Sequence, residues 1–383
     1  MTPVSGPPVG RSLGQITLLH YWLVSHRGGE AVLAALAELF PGAPVHTHVQ
    51  DPALTVELLP GHPIHTSLIA RLPWARRLYQ SYLPLMPWAC ELLDLSDYDL
   101  VISSESGPIK GVVTRPDALH LCYCHSPMRY VWDLAVDYNR RARGPKRWLH
   151  ALLLPWLRQW DRLSADRVDH FVANSQFVAQ RIRKVYRREA TVIHPPVDTD
   201  YFVPSSEPPQ DFYLLVGQLV LYKRADLAVE ACSRAGRPLV VIGTGEQERH
   251  LRRMAGPTVR FLGRQSREVI RWHYQHCRAL LFPGLEDFGI VPVEAMACGR
   301  PVIAYGRGGA TETVKPDVTG IWFPEQTVMS LLGAMEALED HLWDGARIRQ
   351  WAEGFGQQRF QQQFRHLLTT LGYPLAEPEP GTG

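Results

Sequence analysis

The chain has 383 residues, 45% of them hydrophobic and 20% charged, with a formal net charge of +2. That length calls for two domains with separate cores, and the composition excludes a disordered or fibrous protein. A charge so near neutral argues against a broadly basic nucleic-acid binder, and no run of about 18 apolar residues suggests a membrane-spanning helix.

Residues 1–14, rich in Pro and Gly, read as a disordered leader without the basic start and apolar core of a secretory signal. The run Gln15–Val24 reads as the first strand, ending at Ser25-His26-Arg27-Gly28-Gly29. Glu30–Phe40 follows as an amphipathic helix, with Val32, Leu33, Leu36, Leu39 and Phe40 at helical spacing. Strand, Gly-Gly turn and helix open a Rossmann-like domain, although the dinucleotide fingerprint G-x-G-x-x-G is absent. Gly28-Gly29 suits either a tight turn or close backbone approach to a donor phosphate or an acceptor.

Val45–Val49 reads as a short strand, and residues 66–93 are aromatic, basic and interrupted by Pro73, Pro84 and Pro87. Tyr98–Ser103 and Leu119–Cys124 are further strands. His125 directly follows the second of these, where ligand-binding residues of parallel α/β sheets sit. Arg129, four residues before Asp133, suits either a phosphate or a pair with that carboxylate. Arg140, Arg141, Arg143, Lys146 and Arg147 form a basic cluster with no acid among them, ahead of an apolar, aromatic helix over Trp148–Trp160. Such a pairing suits an anionic membrane surface, or a surface loop leading into a core helix.

The six cysteines, Cys90, Cys122, Cys124, Cys232, Cys277 and Cys298, are scattered and mostly in apolar runs, as expected of reduced thiols in a cytoplasmic protein. Cys122-x-Cys124-His125 has zinc-like spacing, but no second closely spaced Cys/His pair completes four ligands, so no metal is expected.

The first domain is bounded at 15–198, and Thr199–Gln210, rich in Pro and Ser, reads as the linker to a second Rossmann-like domain at 211–345. Asp211–Val216 is a strand leading into Gly217-Gln218-Leu219-Val220-Leu221-Tyr222-Lys223-Arg224, with a helix from Ala225. Pro238–Ile242 runs into Gly243-Thr244-Gly245, and Ala279–Phe282 stops at Pro283-Gly284. The next loop carries Glu286, Asp287, Phe288 and Gly289. A helix is expected from near Pro292 to Gly299, with Ile290 just ahead of it and Glu294 in its first turn. The strand Pro301–Tyr305 leads into glycines and a helix from about Thr311. Residues 346–373 read as an amphipathic C-terminal helix and 374–383 as a disordered tail.

Amides at strand ends and helix N-termini suit a phosphate. Glu286 and Glu294 can accept hydrogen bonds from sugar or ribose hydroxyls. Together they fit a nucleotide sugar, although an ordinary βα unit with a solvated acid pair fits the spacing as well.

The run E-D-F-G-I-V-P-V-E from Glu286 to Glu294, with A-M-A-C-G-R-P-V-I-A and G-G after it, resembles the donor-site signature of retaining GT-B glycosyltransferases of family 4, also called glycosyl transferases group 1. Y-C-H-S-P-M-R-Y-V-W-D around His125 resembles a segment of GDP-mannose-dependent mannosyltransferases of bacterial polysaccharide and O-antigen assembly. The resemblance implies an α/β, GT-B fold: two Rossmann-like domains, a cleft between them, and a C-terminal helix crossing back to the first domain.

It also implies roles. His125 would lie beside the transferred sugar, Lys223 and Arg224 would face the diphosphate, and Glu286 would hold sugar hydroxyls. Gly28, Gly29, Gly243, Gly245, Phe288, Gly289 and Ile290 would approach the donor through their backbone, and Glu294 would hold the ribose. Gln218 stands where arginine is commoner, and an amide donates hydrogen bonds without neutralising charge.

The implied reaction is a metal-independent front-face transfer of a hexose with retention, in which the leaving phosphate takes the acceptor proton. It needs no cofactor beyond the nucleotide-sugar co-substrate, expected to be GDP-mannose. Expected partners are a glycan or lipid-linked glycan acceptor and an anionic membrane, with the protein in the cytoplasm or peripheral on the inner membrane face. A UDP-sugar transferase, a GT-B-like UDP-sugar 2-epimerase and a catalytically silent nucleotide-sugar-binding subunit are the alternatives. The two signatures argue against the epimerase, and the retained His125, Lys223, Glu286 and Glu294 against the silent subunit.

Overall fold

The computed structural model describes residues 14–25, 28–133, 135 and 145–375, the side chains of 145–151 excepted. The basic residues Arg140, Arg141 and Arg143, nearly all of the expected leader and most of the expected tail lie outside the described residues. The chain divides into two compact units, residues 1–194 with 360–383, and residues 195–359.

The first unit is built on a parallel sheet of seven strands: β1 (Ile16–His20), β2 (Val45–Thr47), β3 (Ile64–Thr66), β4 (Leu100–Glu105), β5 (Leu119–Cys124), β6 (His170–Ala173) and β7 (Ala190–Val192). Their order is β3-β2-β1-β4-β5-β6-β7, so the direction of winding reverses between β1 and β4. Every residue of β4 is buried, as expected of a central strand covered on both faces. The helix Gly28–Leu39 buries Val32, Leu33, Leu36 and Leu39 against the sheet. The helix Gln176–Tyr186 is capped by Ser175, whose Oγ accepts from Val178 N at 3.1 Å.

The second unit holds six parallel strands: β8 (Tyr213–Val216), β9 (Leu239–Ile242), β10 (Val259–Gly263), β11 (Ala279–Phe282), β12 (Val302–Tyr305) and β13 (Gly320–Phe323). The order β10-β9-β8-β11-β12-β13 is the doubly wound order, reversing between β8 and β11. Separate hydrophobic clusters cover its two faces. Here the expected Pro292 start moves to Ile290: the helix spans Ile290–Ala297 with Gly289 at its N-cap, φ +96°. Pro292 still sits in the first turn, where its missing N–H breaks no helical bond. Glu294 falls in the second turn instead of the first.

Two boundaries differ from those expected. The division falls at His194/Pro195, and residues 199–210 belong to the second unit, where Phe202 is buried in the core. An apolar anchor in a Pro/Ser-rich stretch is what composition hides. The expected C-terminal helix is two helices. Gly345–Glu353 packs Ile348 and Ala352 into the second unit's core, and Gln357–Thr370 packs Phe360, Phe364, Leu367 and Leu368 into the first unit's. Gly354-Phe355-Gly356 separates them.

Candidate functional site

In each unit the polar groups collect where the sheet reverses, at the carboxyl ends of its central strands. In the second unit β8 and β11 pair through Ala279↔Tyr213 and Leu280↔Leu214, so their following loops run side by side. A side chain at Gly284 would lie 2.8 Å from Lys223 Cα, which measures how closely the loops are pressed together. Lys223, from the β8 loop, meets Glu286, from the β11 loop, at 2.9 Å, and both side chains are about one-fifth exposed. A cation and an acceptor therefore stand together at the reversal point, within reach of a ligand carrying both phosphate and hydroxyls.

Around this pair lies the N-terminus of Ile290–Ala297, which no side chain caps. Such an end, with its unspent amides, suits an anion. Glu294 accepts from the Tyr274 hydroxyl at 2.8 Å, and burial raises its pKa although that hydrogen bond opposes the rise. Phe288 is a core residue packed 5.8 Å from the ring of Phe355, so it offers a ligand its backbone only. Gly243 (φ +134°) and Gly245 make their close approach to the β8 loop: added Cβ atoms would stand 1.9 Å from Gly217 O and 2.3 Å from Leu219 O. The expected reason for those glycines was nucleotide contact; the visible one is loop-on-loop packing. Arg224 bonds Asp226 through Nε and Nη2 at 3.1 and 2.9 Å, a partner not expected from the sequence. Gln218 is exposed beside Lys223's loop.

In the first unit His20 ends β1 and Ser104 stands opposite it on β4. Ser104 Oγ lies 3.1 Å from His20 Nδ1 and 2.8 Å from His125 Nε2. Asn174 Nδ2 donates to the His125 carbonyl at 2.9 Å, and His125 N donates to Glu105 O at 2.7 Å. Glu30, from the helix opened by Gly28-Gly29, approaches His20 Nε2 at 4.0 Å. A side chain at Gly29 would strike the Tyr21 hydroxyl at 2.7 Å and sit 3.6 Å from His125 Nε2. Burial lowers the His125 pKa to about 4, and burial followed by repulsion from His125 lowers that of His20 well below the ordinary histidine value, so both rings are neutral near pH 7.

His20, Ser104 and Glu30 were not among the expected site residues. His20 and Ser104 are polar residues inside otherwise apolar strand runs, their one sequence signal, whereas Glu30 reads as an ordinary first-turn acid of a helix. Arg129 pairs with Asp133 at 3.3 Å, the second of its two expected uses. Lys146 and Arg147 lie in the helix Pro145–Ser164, but their side chains are outside the described set. Among the described residues no group of three or more His, Cys, Asp and Glu is placed to hold a metal ion, and no helix is long and apolar enough to cross a membrane.

Two doubly wound parallel sheets of this kind define the GT-B class of glycosyltransferase architecture. The family model "Glycosyltransferase Family 4" matches residues 26–201 and "Glycosyl transferases group 1" matches residues 198–349. The structure superposes on Anabaena HepE, crystallised with UDP and glucose, with a TM-score of 0.68 at 16% identity, covering 93% of this chain and 99% of that one. A sucrose-phosphate synthase from Thermosynechococcus elongatus gives 0.67 at 20% identity, with 93% and 99% covered.

A D-inositol 3-phosphate glycosyltransferase of Mycolicibacterium smegmatis is 31% identical over 180 residues, 40% of this chain and 42% of the relative. The O-antigen chain mannosyltransferase C of Escherichia coli is 29% identical over 162 residues, 40% of this chain and 43% of the relative. The matches to these curated relatives thus span about two-fifths of their length. The two family models together run from residue 26 to 349, and the chain belongs to the family 4 glycosyltransferases of GT-B fold.

Proposed function

We propose that the protein is a retaining glycosyltransferase that moves mannose from GDP-mannose to a hydroxyl of a lipid-linked or polysaccharide acceptor. The observation that carries the reading is the Lys223–Glu286 pair at the reversal point of the second sheet. Lys223 would neutralise charge that develops on the diphosphate as the sugar–phosphate bond breaks, and Glu286 would accept hydrogen bonds from the sugar's hydroxyls. The amides at the start of Ile290–Ala297 add a second set of donors for the anion. No carboxylate pair flanking the reaction centre is needed, because the leaving phosphate takes the acceptor's proton. No divalent metal is needed, because Lys223 and the helix N-terminus supply the charge.

Mannose and guanine rest on the segment around His125 and on the similarity to the O-antigen mannosyltransferase. The UDP-sugar alternative has its own support, since a structural neighbour was crystallised with UDP and glucose. A lipid-borne acceptor is supported by the first unit's surface. Trp74 and Trp88 are 76% and 62% exposed within residues 58–90, a stretch that holds exposed Arg71, Arg76 and Arg77 and no acid. Arg76 pairs with Asp51 at 3.5 Å, and the remaining basic and aromatic surface of the stretch suits an anionic membrane.

The deciding experiment is calorimetric binding of GDP, UDP, GDP-mannose and UDP-glucose to the wild type and to Lys223→Ala. Selective GDP-mannose binding that Lys223→Ala abolishes is the expected result. Selective UDP-sugar binding keeps the site and replaces the donor, whereas no binding of any nucleotide overturns the reading.

A further inference from the structure

In the first unit His20, Ser104 and His125 are joined by hydrogen-bond contacts across two strands, and the Glu30 carboxyl approaches the His20 end without hydrogen-bonding it. From Glu30 through His20 and Ser104 to His125 the successive separations are 4.0, 3.1 and 2.8 Å. His20 and Ser104 are fully buried, and Glu30 is 1% exposed. His20 Nε2 is buried and has no hydrogen-bond partner among the described residues; the carboxyl group of Glu30 lies 4.0 Å from it. We propose that Glu30, His20 and Ser104 are positioning residues that fix the tautomer of His125, keeping its proton on Nε2 and presenting Nδ1 as a bare acceptor.

The deduction needs only proton counting. A carboxylate opposite His20 Nε2 favours a proton on that nitrogen. His20 is neutral near pH 7, because burial and the neighbouring His125 disfavour its charged form. A neutral ring carries one N–H, so His20 Nδ1 is a bare acceptor. The group beside it is the Ser104 hydroxyl, which has a single proton and gives it to His20 Nδ1. Ser104 Oγ then has only lone pairs to offer His125, so His125 Nε2 must be the donor. His125 is also neutral, its pKa lowered to about 4 by burial, and Nδ1 is left without a proton. No described residue hydrogen-bonds that Nδ1.

Gly29 serves the same arrangement: its bare Cα lets the start of the Glu30 helix lie against His20 and His125. A Cβ there would come within 3.5 and 3.6 Å of the two rings and closer still to the Tyr21 hydroxyl. The Tyr123 ring packs edge-on to His125 at 5.2 Å, and the Asn174 bond to the His125 carbonyl fixes the backbone that carries the ring.

The inference rests on the proposed transfer only for its use. A bare Nδ1 accepts a hydrogen bond from a sugar hydroxyl, whereas the other tautomer would offer a donor. The tautomer itself is a property of the unliganded protein and is read without turnover. Histidine labelled with 15N in the full chain, with the His125 signals assigned by their loss in His125→Gln, reports which nitrogen is protonated.

The expected wild-type spectrum shows a protonated Nε2 and a bare Nδ1. Ser104→Ala and Glu30→Gln should each shift His125 toward a mixture of tautomers, with unchanged nucleotide binding as the check on folding. A wild-type His125 protonated on Nδ1 overturns the proposal, and so does a His125 signature that neither variant moves. In the transfer assay Ser104→Ala should lower kcat by at least about tenfold, as a wrongly set tautomer does in other histidine sites, and leave the donor KM nearly unchanged. A correct tautomer in a protein that binds no nucleotide would leave this inference standing and remove the functional reading.

Discussion

The two units place their polar groups at the same topological point and treat them in opposite ways. In the second, Lys223 and Glu286 stand on loops past their strands and keep about one-fifth of their surface in solvent. In the first, the ionic groups are on or beneath the strand ends and fully enclosed. Lys110 contacts Asp161 and lies 3.9 Å from Glu105, all three at most 1% exposed. Tyr186 and Trp132 donate to the Asp161 carboxylate at 3.0 and 2.6 Å. Glu105 also accepts from Lys110 N at 3.0 Å and lends its carbonyl to His125 N, so the enclosed network props the loop that carries His125. An open pair is available to a ligand and contributes little to stability. A closed one makes either partner costly to remove, holds its surroundings in place and is available to nothing.

The largest effect expected from this contrast is on folding. Lys110→Met strands the buried Asp161 carboxylate and removes the cation facing Glu105, and should cost about 3–5 kcal/mol in urea unfolding of the first unit. Lys223→Ala, removing half of a solvent-screened pair, should cost at most about 1 kcal/mol. Equal unfolding midpoints for the two variants would break the comparison. The order reverses for function. Lys223→Ala should lower sugar transfer by about 10²–10³-fold, the usual loss when one preorganised group facing developing charge is removed. A variant that retains most of its turnover would show that the open pair is a surface ion pair and nothing more.

A pH experiment sharpens the same point. Burial first, then the Asp161 carboxylate, raise the Glu105 pKa to about 8 from 4.5, with Lys110 pulling the other way. Between those values the unfolded chain has lost the proton and the folded chain keeps it. Stability from this group is therefore present in full below about 4.5 and declines as pH rises toward about 8, by at most about 1.4 kcal/mol per pH unit. Glu105→Gln removes that slope. The stability of wild type relative to Glu105→Gln, followed by denaturant midpoints from pH 5 to 8, should fall steadily. A constant difference would mean that Glu105 is ionised throughout, and the enclosed network would then carry net negative charge.

How much of this was legible beforehand follows from the same difference. The second unit's loops are written in consecutive residues: Gly217 to Lys223 and Glu286 to Glu294 each announce a strand end, a turn and a helix start. Their chemistry can be read without knowing which strand lies beside which. His20, Ser104 and Glu30 are separated by up to 84 residues, the spacing of His20 from Ser104. They meet only because β1 and β4 pair in the register that sets His20 against Ser104. A one-residue slip would turn one of them to the other face of the sheet. Pattern gave the strands; it could not give the register. The terminal segment failed for a related reason, since apolar spacing continues across Phe355 while the backbone turns at Gly354 and Gly356, and each half serves a different core.

Arg224 supplies the smallest effect. Sequence places it next to Lys223, and charge alone would make it a second partner for the diphosphate. Its backbone is in the left-handed region at φ +51°, which swings the side chain onto Asp226 at the start of the following helix. Both charges are about one-third exposed, so the pair is worth no more than about 1 kcal/mol. Arg224→Gln should therefore change stability by less than that and donor affinity by less than about threefold, against the large loss for Lys223→Ala one position away. Adjacent cations with such unequal effects would show that orientation, set by the backbone, decides which charge serves the ligand. A loss at Arg224 matching that at Lys223 would instead mean that the guanidinium leaves Asp226 when the donor arrives, and the open site would then extend beyond the Lys223–Glu286 pair.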